Sequence, residues 1–599
     1  MLSTKTRFKR FAVAGAIAGA VALTLAGCTT ASPNDDSSTG NKSGGTITIA
    51  TTNAFTSFNG DTPQSNLDTN GMVGYLTGTS GGLGLGSFMT LDDKYNVVPE
   101  TDIGTFEKVS DEPLTVKYTL KKDLKWSDGQ PITADDMLFT WASSSGYYDD
   151  ATTNDAGEVT SGTRYFDLAG STAGLDETAF PTISDDNLSL TLTYSKPFVD
   201  WNLVNMLGKP AHVIAEKAGV SLADFVKTLK DTPKGNPAAP AAVNPTLEAA
   251  AKFWNTGYDV TSMPTDKSLL VSSGPFIVSD FTAESSITLK KNPEYKGKNV
   301  PAYDELIIRF IGDTNAQVSA LQNGEVNAIY PQTSADTVTA LEKANAKIER
   351  GDQLAYDHLD LNFKSDVFKD KNVREAFLKT IPRQQILDSI ITPVNNKAEV
   401  LNSQIYVPQN AEYKDATKVN GYDAFGKPDI EGAKALLNGA TPTVRILYSS
   451  VNPNRVDTFK AIQASAKEAG FNVVDGGSKD WGKELSGGNY DASIFGWVSP
   501  GAGNSALAQI FASNGGGNYN GYNNADVDKL VADAQTALDP KALEDIKIKI
   551  DTATATDAYG LPLFQLPGVF ATNGTISGIK YFGGQTGLVW NAQDWKITK

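Results

Sequence analysis

A single cysteine, Cys28, among 599 residues limits what can stabilise this chain. One thiol cannot form a disulfide within its own chain, so no covalent cross-link can hold distant segments together. The fold must therefore rest on the burial of apolar side chains. That is readily achieved at this length, because long chains bury a large fraction of their surface. Length alone suggests about three or four domains.

The N-terminus has the composition of an export signal. Four basic residues precede residue 11, and residues 11–27 form a run of small and apolar residues interrupted only by Thr24. A basic segment, an apolar segment and a small-residue cleavage zone in this order are typical of a secretory signal peptide. We therefore predict that residues 1–27 are removed and that the remaining chain is exported.

The exported part of the chain is strongly acidic. The whole chain carries a formal charge of −17, and residues 1–27 contribute four cations and no anions, so the remainder carries −21. Such a surface repels nucleic acid and anionic lipid headgroups. We therefore expect no nucleic-acid partner.

Strand-like and helix-like segments alternate through much of the chain. Residues 29–45 lack apolar periodicity and predict a flexible linker, after which the segment GTITIATT predicts a strand. Further on, the strand DELIIRFIGD leads into a helix with Asp313 as its N-cap and Gly324 after its end. Such units predict an α/β fold with a parallel or mixed sheet. The segments LTVKYTLKKDLKW and LSLTLTYSKPF alternate like antiparallel strands and predict an added β-rich region.

Residues with catalytic potential are sparse. The two histidines, His212 and His358, lie in segments that indicate structural roles, and no HExxH, paired CxxC or EF-hand pattern occurs. Residues 78–82 match G-x-S-x-G, but a nucleophile elbow needs a helix after it, and here a glycine-rich segment follows. We therefore predict a protein that is not an enzyme and has no cofactor or metal site. A secreted hydrolase that uses Ser80 is the alternative from another class.

Several segments occur in one order along almost the whole exported chain. They are LKWSDGQPITADDMLFTW (124–141), SSGPFIVSDF with ITLKKNPEYKG, DTNAQVSALQNGEVNAIY, VFKDKNVREAFLKTIPRQQIL, NYDASIFGWVSP, NYNGYNNADVDKLVADA, PLFQLPG and VWNAQDWKI. In this order they resemble the extracellular solute-binding proteins of family 5, which feed dipeptide and oligopeptide ABC importers. One departure is Thr380-Ile381-Pro382-Arg383, where the family usually has Ala-Ile-Asp-Arg.

The resemblance implies an α/β periplasmic-binding-protein clamshell of type II. In such a protein two lobes, joined by a two-strand hinge, close on a ligand, and here lobe I would carry an extra β-rich subdomain. The implied boundaries are residues 46–75, 184–305 and 560–599 for lobe I, 76–183 for the added subdomain, and 306–559 for lobe II.

The implied function is capture of an extracellular short peptide and its delivery to a membrane permease driven by ATPases. Peptide-binding relatives pair with the main chain of an extended ligand, which gives affinity with little side-chain selectivity. The positions that match their ligand contacts are Gly60, Asp61 and Thr62 in lobe I, and Gly496, Trp497, Val498 and Ser499 in lobe II. An ordinary surface loop at the first site and a packing role for Trp497 remain as alternatives.

One departure from the family affects the ligand. Peptide binders often place an aspartate three residues after the tryptophan to hold the α-amino group, and here that position is Pro500. Either Asp61 or Asp491 takes this role, or the ligand has no free amine. A non-peptide solute such as an oligosaccharide, stacked on Trp and Tyr rings, is the alternative ligand. A clamshell receptor or adhesin without a transporter is a further alternative.

The lone cysteine has a place in this interpretation. Leu25-Ala26-Gly27-Cys28 resembles a bacterial lipobox, in which the cysteine receives a diacylglycerol and becomes the first residue of the mature protein. Two or more acyl chains give stable anchoring. We therefore expect a monomeric lipoprotein on the outer face of the cytoplasmic membrane. Residues 28–45 would connect its lipid to the clamshell, and lipid would be its only contact with the membrane.

Overall fold

The computed structural model describes residues 44–153, 159–169, 172, 174–479, 481–498, 503–513 and 515–598. The predicted signal peptide, Cys28 and most of the predicted linker lie outside these residues. Within the described ranges, no helix combines the length and the apolar character that crossing a bilayer requires.

The described strands are β1 (Thr46–Thr51), β2 (Met89–Leu91), β3 (Val97–Pro99), β4 (Gly104–Asp111), β5 (Leu114–Leu120), β6 (Thr152–Thr153), β7 (Val159–Ser161), β8 (Thr182–Ile183), β9 (Ser189–Thr193), β10 (Phe276–Thr282), β11 (Ser286–Lys291), β12 (Glu305–Phe310), β13 (Ala328–Ile329), β14 (Lys347–Leu361), β15 (Thr443–Ser449), β16 (Asn472–Ser478), β17 (Ala492–Val498), β18 (Gly560–Thr572), β19 (Ile576–Ser577) and β20 (Lys596–Ile597).

The described α-helices are α1 (Asp68–Thr77), α2 (Ala134–Ser144), α3 (Ala211–Lys217), α4 (Leu222–Asp231), α5 (Pro245–Lys252), α6 (Thr314–Gln322), α7 (Ala335–Lys343), α8 (Lys371–Lys379), α9 (Arg383–Ile386), α10 (Tyr413–Ala416), α11 (Ile430–Leu437), α12 (Pro453–Ala469), α13 (Trp481–Gly487), α14 (Ser505–Phe511), α15 (Ala525–Thr536) and α16 (Pro540–Thr556).

A ten-stranded mixed sheet runs through the molecule in the order β10-β11-β12-β1-β13-β18-β14-β17-β15-β16. The first strand, β1, pairs in parallel with β12 and β13, and β15 pairs in parallel with β16 and β17. Antiparallel pairs join the other neighbours, including β14 with both β17 and β18. The predicted α/β class with a mixed sheet is therefore confirmed.

The ends of the helices that connect strands of this sheet follow local sequence signals. The Asp313 carboxylate accepts the N–H of Ala316 at 2.8 Å at the start of α6, and Gly324 follows that helix with a φ of +72°. Gly470 ends α12 with a φ of +107°. Glycine adopts positive φ without steric cost because it has no Cβ. The predicted cap and stop of α6 are thus both present.

The predicted β-rich region forms a separate four-stranded antiparallel sheet in the order β4-β5-β9-β8. Helix α2 begins with a capping box, in which Thr133 and Asp136 exchange hydrogen bonds. Strand β9 lies between β5 and β8. We propose that the added region extends past residue 183, the end that the sequence predicted, because β9 lies inside its sheet.

Buried side chains form two large groups on the two halves of the ten-stranded sheet. One cluster joins β1 and β10–β12 with the four-stranded sheet and includes Ile49, Tyr118 and Ile308. This half, with its added subdomain, is lobe I. A second cluster lies on the half with β15, β16 and β17 and includes Ile446 and Ile494. This half is lobe II.

Two long antiparallel strands, β14 and β18, connect the halves. Residues 347–352 of β14 pair with 567–572 of β18 on the lobe I side, and 356–360 pair with 560–565 on the lobe II side. Between them the register shifts, since Asp352 pairs with Pro567 and Tyr356 with Gln565. Three residues of β14 therefore face a single residue of β18. A bulge of this kind interrupts the ladder and bends the strand.

On the basis of this connection we propose lobe boundaries other than those predicted at residues 306 and 560. Strand β12 pairs with β1, and α6 and α7 share a buried cluster with Ala50 and Ala571. We propose that residues 306–352 belong to lobe I and that the chain crosses at the bulge. The physical reason is that β14 and β18 each continue through both lobes instead of ending at their border.

A candidate ligand-binding cavity between the lobes

A cavity of about 490 Å³ opens on the face of lobe I that meets lobe II. Its volume falls in the range of about 300–1,000 Å³ that small-molecule sites usually have. Its walls come from the segment after β1, the glycine-rich segment after α1, the chain between β9 and α3, and the C-terminal residues 582–590. Gly503 of lobe II completes the described lining.

Asp61 places a carboxylate in this cavity. Its Oδ2 accepts the N–H of Gly81 at 2.8 Å, and its Oδ1 accepts the Ser80 hydroxyl at 3.3 Å. Its own carbonyl oxygen accepts the N–H of Ala169 at 2.7 Å. Gly60 also lines the cavity. Two of the three lobe I residues predicted from the sequence therefore lie at its wall.

Lys209 is the one cation among the described lining residues. Its side chain is 4% exposed, and its Nζ donates to the carbonyl oxygen of Phe58 at 2.7 Å and to that of Thr79. The ammonium also lies 5.3 Å from the centroid of the Tyr258 ring. Burial lowers the pKa of Lys209 to about 8, and the Asp61 carboxylate opposes this shift. The cavity wall thus contains a buried positive charge.

Aromatic rings form another part of the cavity wall. The Phe582 and Trp590 rings are stacked, with centroids 4.8 Å apart and planes at 6°. The Trp590 indole donates to the carbonyl oxygen of Leu91 at 2.9 Å, and the Tyr75 hydroxyl donates to the carbonyl oxygen of Trp590 at 2.9 Å. These bonds hold the rings in place, so the cavity presents a rigid aromatic wall beside its polar one.

Lobe I and lobe II also meet beyond the strand connection. Asp200, which lines the cavity and is 7% exposed, accepts the N–H of Asn504 at 2.6 Å and its Nδ2 at 3.0 Å. The N–H of Val199 donates to the carbonyl oxygen of Gln535 at 2.9 Å. These contacts close one side of the cavity, so the structure has its lobes together.

The predicted lobe II residues occupy β17 beside β14, away from the described lining. Gly496 pairs with Asp357, Trp497 with Tyr356 and Val498 with Ala355. A Cβ at Gly496 would lie 2.7 Å from Oδ1 of Asp357, which forms an ion pair with Arg455. Glycine at this position therefore has a packing reason.

Trp497 lies in a group of rings. Its ring is nearly parallel to those of His358 and Tyr519, at 6.0 and 6.2 Å between centroids, and it meets Phe495 edge-on at 5.2 Å. Ser499 and Pro500 lie outside the described residues, as does the rest of the segment that leads from Val498 to the cavity wall at Gly503.

Two other predicted positions have structural surroundings. Thr62 is fully buried, and its hydroxyl has no partner among the described residues. Asp491, the second acid considered for an ammonium group, accepts the N–H of Arg445 at 2.8 Å and the hydroxyl of Ser365, and it does not line the cavity. Of the two candidate acids, the structure brings only Asp61 to the cavity.

The geometry around Ser80 does not support the hydrolase alternative. The Ser80 hydroxyl donates to Asp61 and accepts the N–H of Gly82 at 3.1 Å. The two histidines are bonded elsewhere, His212 to Asp128 at 2.9 Å and His358 to Asp360 at 2.8 Å. A Ser-His-Asp triad needs a histidine hydrogen-bonded to the serine, and neither histidine is bonded to Ser80. Within the described ranges, no three His, Cys, Asp or Glu side chains are placed to hold a metal ion.

Sequence reasoning missed three of the functional candidates, namely Lys209, Asp200 and Trp590. The acceptors of Lys209 are backbone carbonyls 151 and 130 residues away along the chain, and Asp200 meets Asn504 304 residues away. No local pattern encodes such contacts. Trp590 lies in VWNAQDWKI, one of the segments that resemble the family. The sequence therefore did offer a signal by which Trp590 could have been considered for the site.

A cavity between two lobes that are joined by two strands defines a ligand-binding protein of the clamshell class. The family model for bacterial extracellular solute-binding proteins, family 5 (middle), matches residues 99–519. The chain therefore belongs to this family, as its sequence predicted. It is a solute-binding component of an ABC importer.

Individual relatives agree with this assignment. The oligopeptide-binding protein OppA of Mycobacterium tuberculosis is 24% identical over 516 residues, 84% of this chain and 77% of the relative. An uncharacterized lipoprotein of the same organism is 23% identical over 523 residues, 84% of this chain and 86% of the relative. The fold is similar to that of the periplasmic EDTA-binding protein EppA, with a TM-score of 0.77, 22% identity, and coverage of 93% of this chain and 97% of the other.

Proposed function

We propose that this chain is an exported lipoprotein that captures short extracellular peptides between its lobes and delivers them to the permease of an ABC importer. The observation that carries the proposal is the cavity that both lobes line, with Asp61 at its wall. A carboxylate there can form an ion pair with the α-amino group of a peptide, the role that Pro500 cannot serve.

Backbone groups around Asp61 support a peptide ligand as well. Gly60, Gly81 and Gly82 line the cavity, and glycine lets a ligand approach the main chain closely. Main-chain pairing gives affinity without strong side-chain preference. We retain Gly496, Trp497, Val498 and Ser499 as proposed contacts of the second lobe, since the segment after them leads to Gly503 at the cavity wall. A relative named as an oligopeptide-binding protein supports the same ligand class.

We further propose that Cys28 carries the lipid. The lipobox resemblance of residues 25–28 supports this, and so does a relative that is named a lipoprotein. A monomer tethered through residues 28–45 would then present its cleft to the permease at the outer face of the membrane.

Native mass spectrometry of the full chain, purified from its own host, tests the ligand class. We expect bound masses that differ by amino-acid residue masses and that are lost after partial unfolding and refolding. Masses spaced by hexose units would contradict the peptide proposal.

A non-peptide solute remains the second candidate, favoured by one observation. The stacked Phe582 and Trp590 rings offer a flat apolar wall, on which a sugar ring can stack. The similar fold of a protein named for EDTA binding shows that this architecture accommodates non-peptide ligands. Binding of a maltose-series oligosaccharide in calorimetry, without binding of peptides, would favour this candidate.

A further inference from the structure

Three charged side chains line the described part of the cavity, and the protein gives each of them only neutral hydrogen-bond partners. Two carboxylates, Asp61 and Asp200, line the cavity, and each already accepts two hydrogen bonds from the protein. Lys209 is the one cation in the described lining, and among the described residues no carboxylate oxygen lies within 4.0 Å of its ammonium. The described residues therefore leave this positive charge without an ion-pair partner, as they leave the two carboxylates.

The hydrogen bonds of Lys209 lead to the same conclusion. An ammonium has three N–H donors. Two of them reach the carbonyl oxygens of Phe58 and Thr79, and the described residues offer no acceptor to the third. The Tyr258 ring faces the ammonium at 5.3 Å and contributes a cation–π contact, but it is not a counter-ion. A buried ammonium in this state can still accept an anion.

Burial without a counter-ion is costly for a charged group. The lowered pKa of Lys209, about 8, reflects that cost. A bound anion would remove part of it, because an opposite charge within about 4–6 Å favours the charged form of the lysine. An anionic ligand would therefore offset part of the free energy that burial of this ammonium costs.

We propose that Lys209 is a specificity-determining residue that binds the anionic group of the transported solute, the terminal carboxylate when the solute is a peptide. For peptides this rests on the proposed function, whereas recognition of an anionic group does not. A neutral oligosaccharide would leave Lys209 without its partner.

Lys209 has a second role that any experiment must separate from the first. By bonding Phe58 and Thr79 it joins the segment after β1 to the segment after α1. Loss of this connection would weaken every ligand equally, because it deforms the wall. Loss of an anion contact would weaken only those ligands that carry the anion.

The experiment compares trialanine with trialanine amide, which lacks the terminal carboxylate, by isothermal titration calorimetry on the full chain freed of carried ligand. Citrate serves as an anion without peptide bonds. The variants are Lys209→Met and Lys209→Arg, and Lys230→Met, which removes an exposed lysine of α4, is the matched control. Far-UV circular dichroism establishes that each variant is folded.

We expect the unaltered protein to bind trialanine at least tenfold more tightly than the amide, and Lys230→Met to behave in the same way. Lys209→Met should abolish this difference, and Lys209→Arg should restore part of it. Equal affinity of the unaltered protein for acid and amide would overturn the proposal. So would a Lys209→Met variant that weakens both ligands by the same factor.

The proposed peptide function can fail separately. Binding of citrate that depends on Lys209, with no binding of either peptide, would refute peptide transport and support the anion site. Binding of both peptides with equal affinity would support peptide transport and refute the anion site. If none of the three probes binds, both proposals are wrong for these ligand classes.

Discussion

The contact between Asp200 and Asn504 is expected to hold the lobes together. Asp200→Ala removes a carboxylate that accepts two hydrogen bonds from lobe II, at 2.6 and 3.0 Å. Hydrogen bonds to charged groups contribute about 1.5–3 kcal/mol each, and the low end applies because Asp200 regains water when the lobes separate. The closed form should therefore lose about 2–3 kcal/mol.

The loss of closed-form stability can be measured as a loss of ligand affinity. If the ligand binds tightly only to the closed form, a shift of about 2–3 kcal/mol weakens its apparent affinity by up to about 30- to 150-fold, and the full factor applies when the ligand-free chain is mostly open. Asn504→Ala keeps the backbone N–H and removes only the side-chain bond, so we expect a smaller loss of about five- to tenfold. Asp415→Ala is the control, since that side chain is 81% exposed and pairs only with Lys418 at the surface.

Two measurements together test this reasoning. Calorimetric titration with the ligand found by mass spectrometry gives the affinity, and small-angle X-ray scattering of the ligand-free chain gives its radius of gyration. Asp200→Ala should increase the radius of gyration if the ligand-free chain is mostly closed, and it should weaken binding by the full factor if that chain is mostly open. An unchanged radius and an affinity within twofold of the unaltered protein would show that this contact does not stabilise closure.

Three further perturbations have expected outcomes. Trp497→Ala should weaken ligand binding about tenfold, as loss of an aromatic anchor can, and unchanged affinity in calorimetry would remove Trp497 from the site. Folded Lys209, with a pKa of about 8 against 10.5 for the free side chain, binds fewer protons than the unfolded state between these values. Its contribution to the free energy of unfolding should therefore rise with pH across that interval, by up to about 3 kcal/mol. Urea denaturation at pH 7.5 and 9.5 should show this rise in the unaltered protein and a smaller one in Lys209→Met. Cys28→Ala should release the exported protein from the membrane fraction into the soluble fraction, as immunoblotting would show; retention in the membrane would contradict lipid anchoring.

The sequence predicted those parts of the fold that depend on neighbouring residues. The cap at Asp313, the glycine after α6 and the alternation of β5 are local, and each matches the structure. The lobe boundary was harder to predict, because it depends on the pairing of β1 with β12. These strands lie more than 250 residues apart in the chain.

The residues of the candidate site also differ in how far the sequence alone identifies them. Asp61 was identified through a resemblance to relatives, whereas Lys209 lies in the unremarkable segment GKPAHV. Its role depends on carbonyl groups, which every residue has and which therefore leave no trace in a sequence. Gly496 shows the converse, since family resemblance assigned it to the ligand and the structure adds a packing reason, the Asp357–Arg455 ion pair beside it.

The shared core of lobe I and its added subdomain has a consequence for how the protein melts. One continuous cluster of buried side chains spans both, from Ile47 to Trp595, whereas the largest cluster of lobe II is separate from it. Two regions that share a core lose their structure cooperatively, and regions that do not can unfold in separate steps. We therefore expect the chain, although it is built from three parts, to unfold as two calorimetric units. A ligand that contacts both lobes would couple the unfolding of these units, so that the two transitions in a calorimetric scan merge into one.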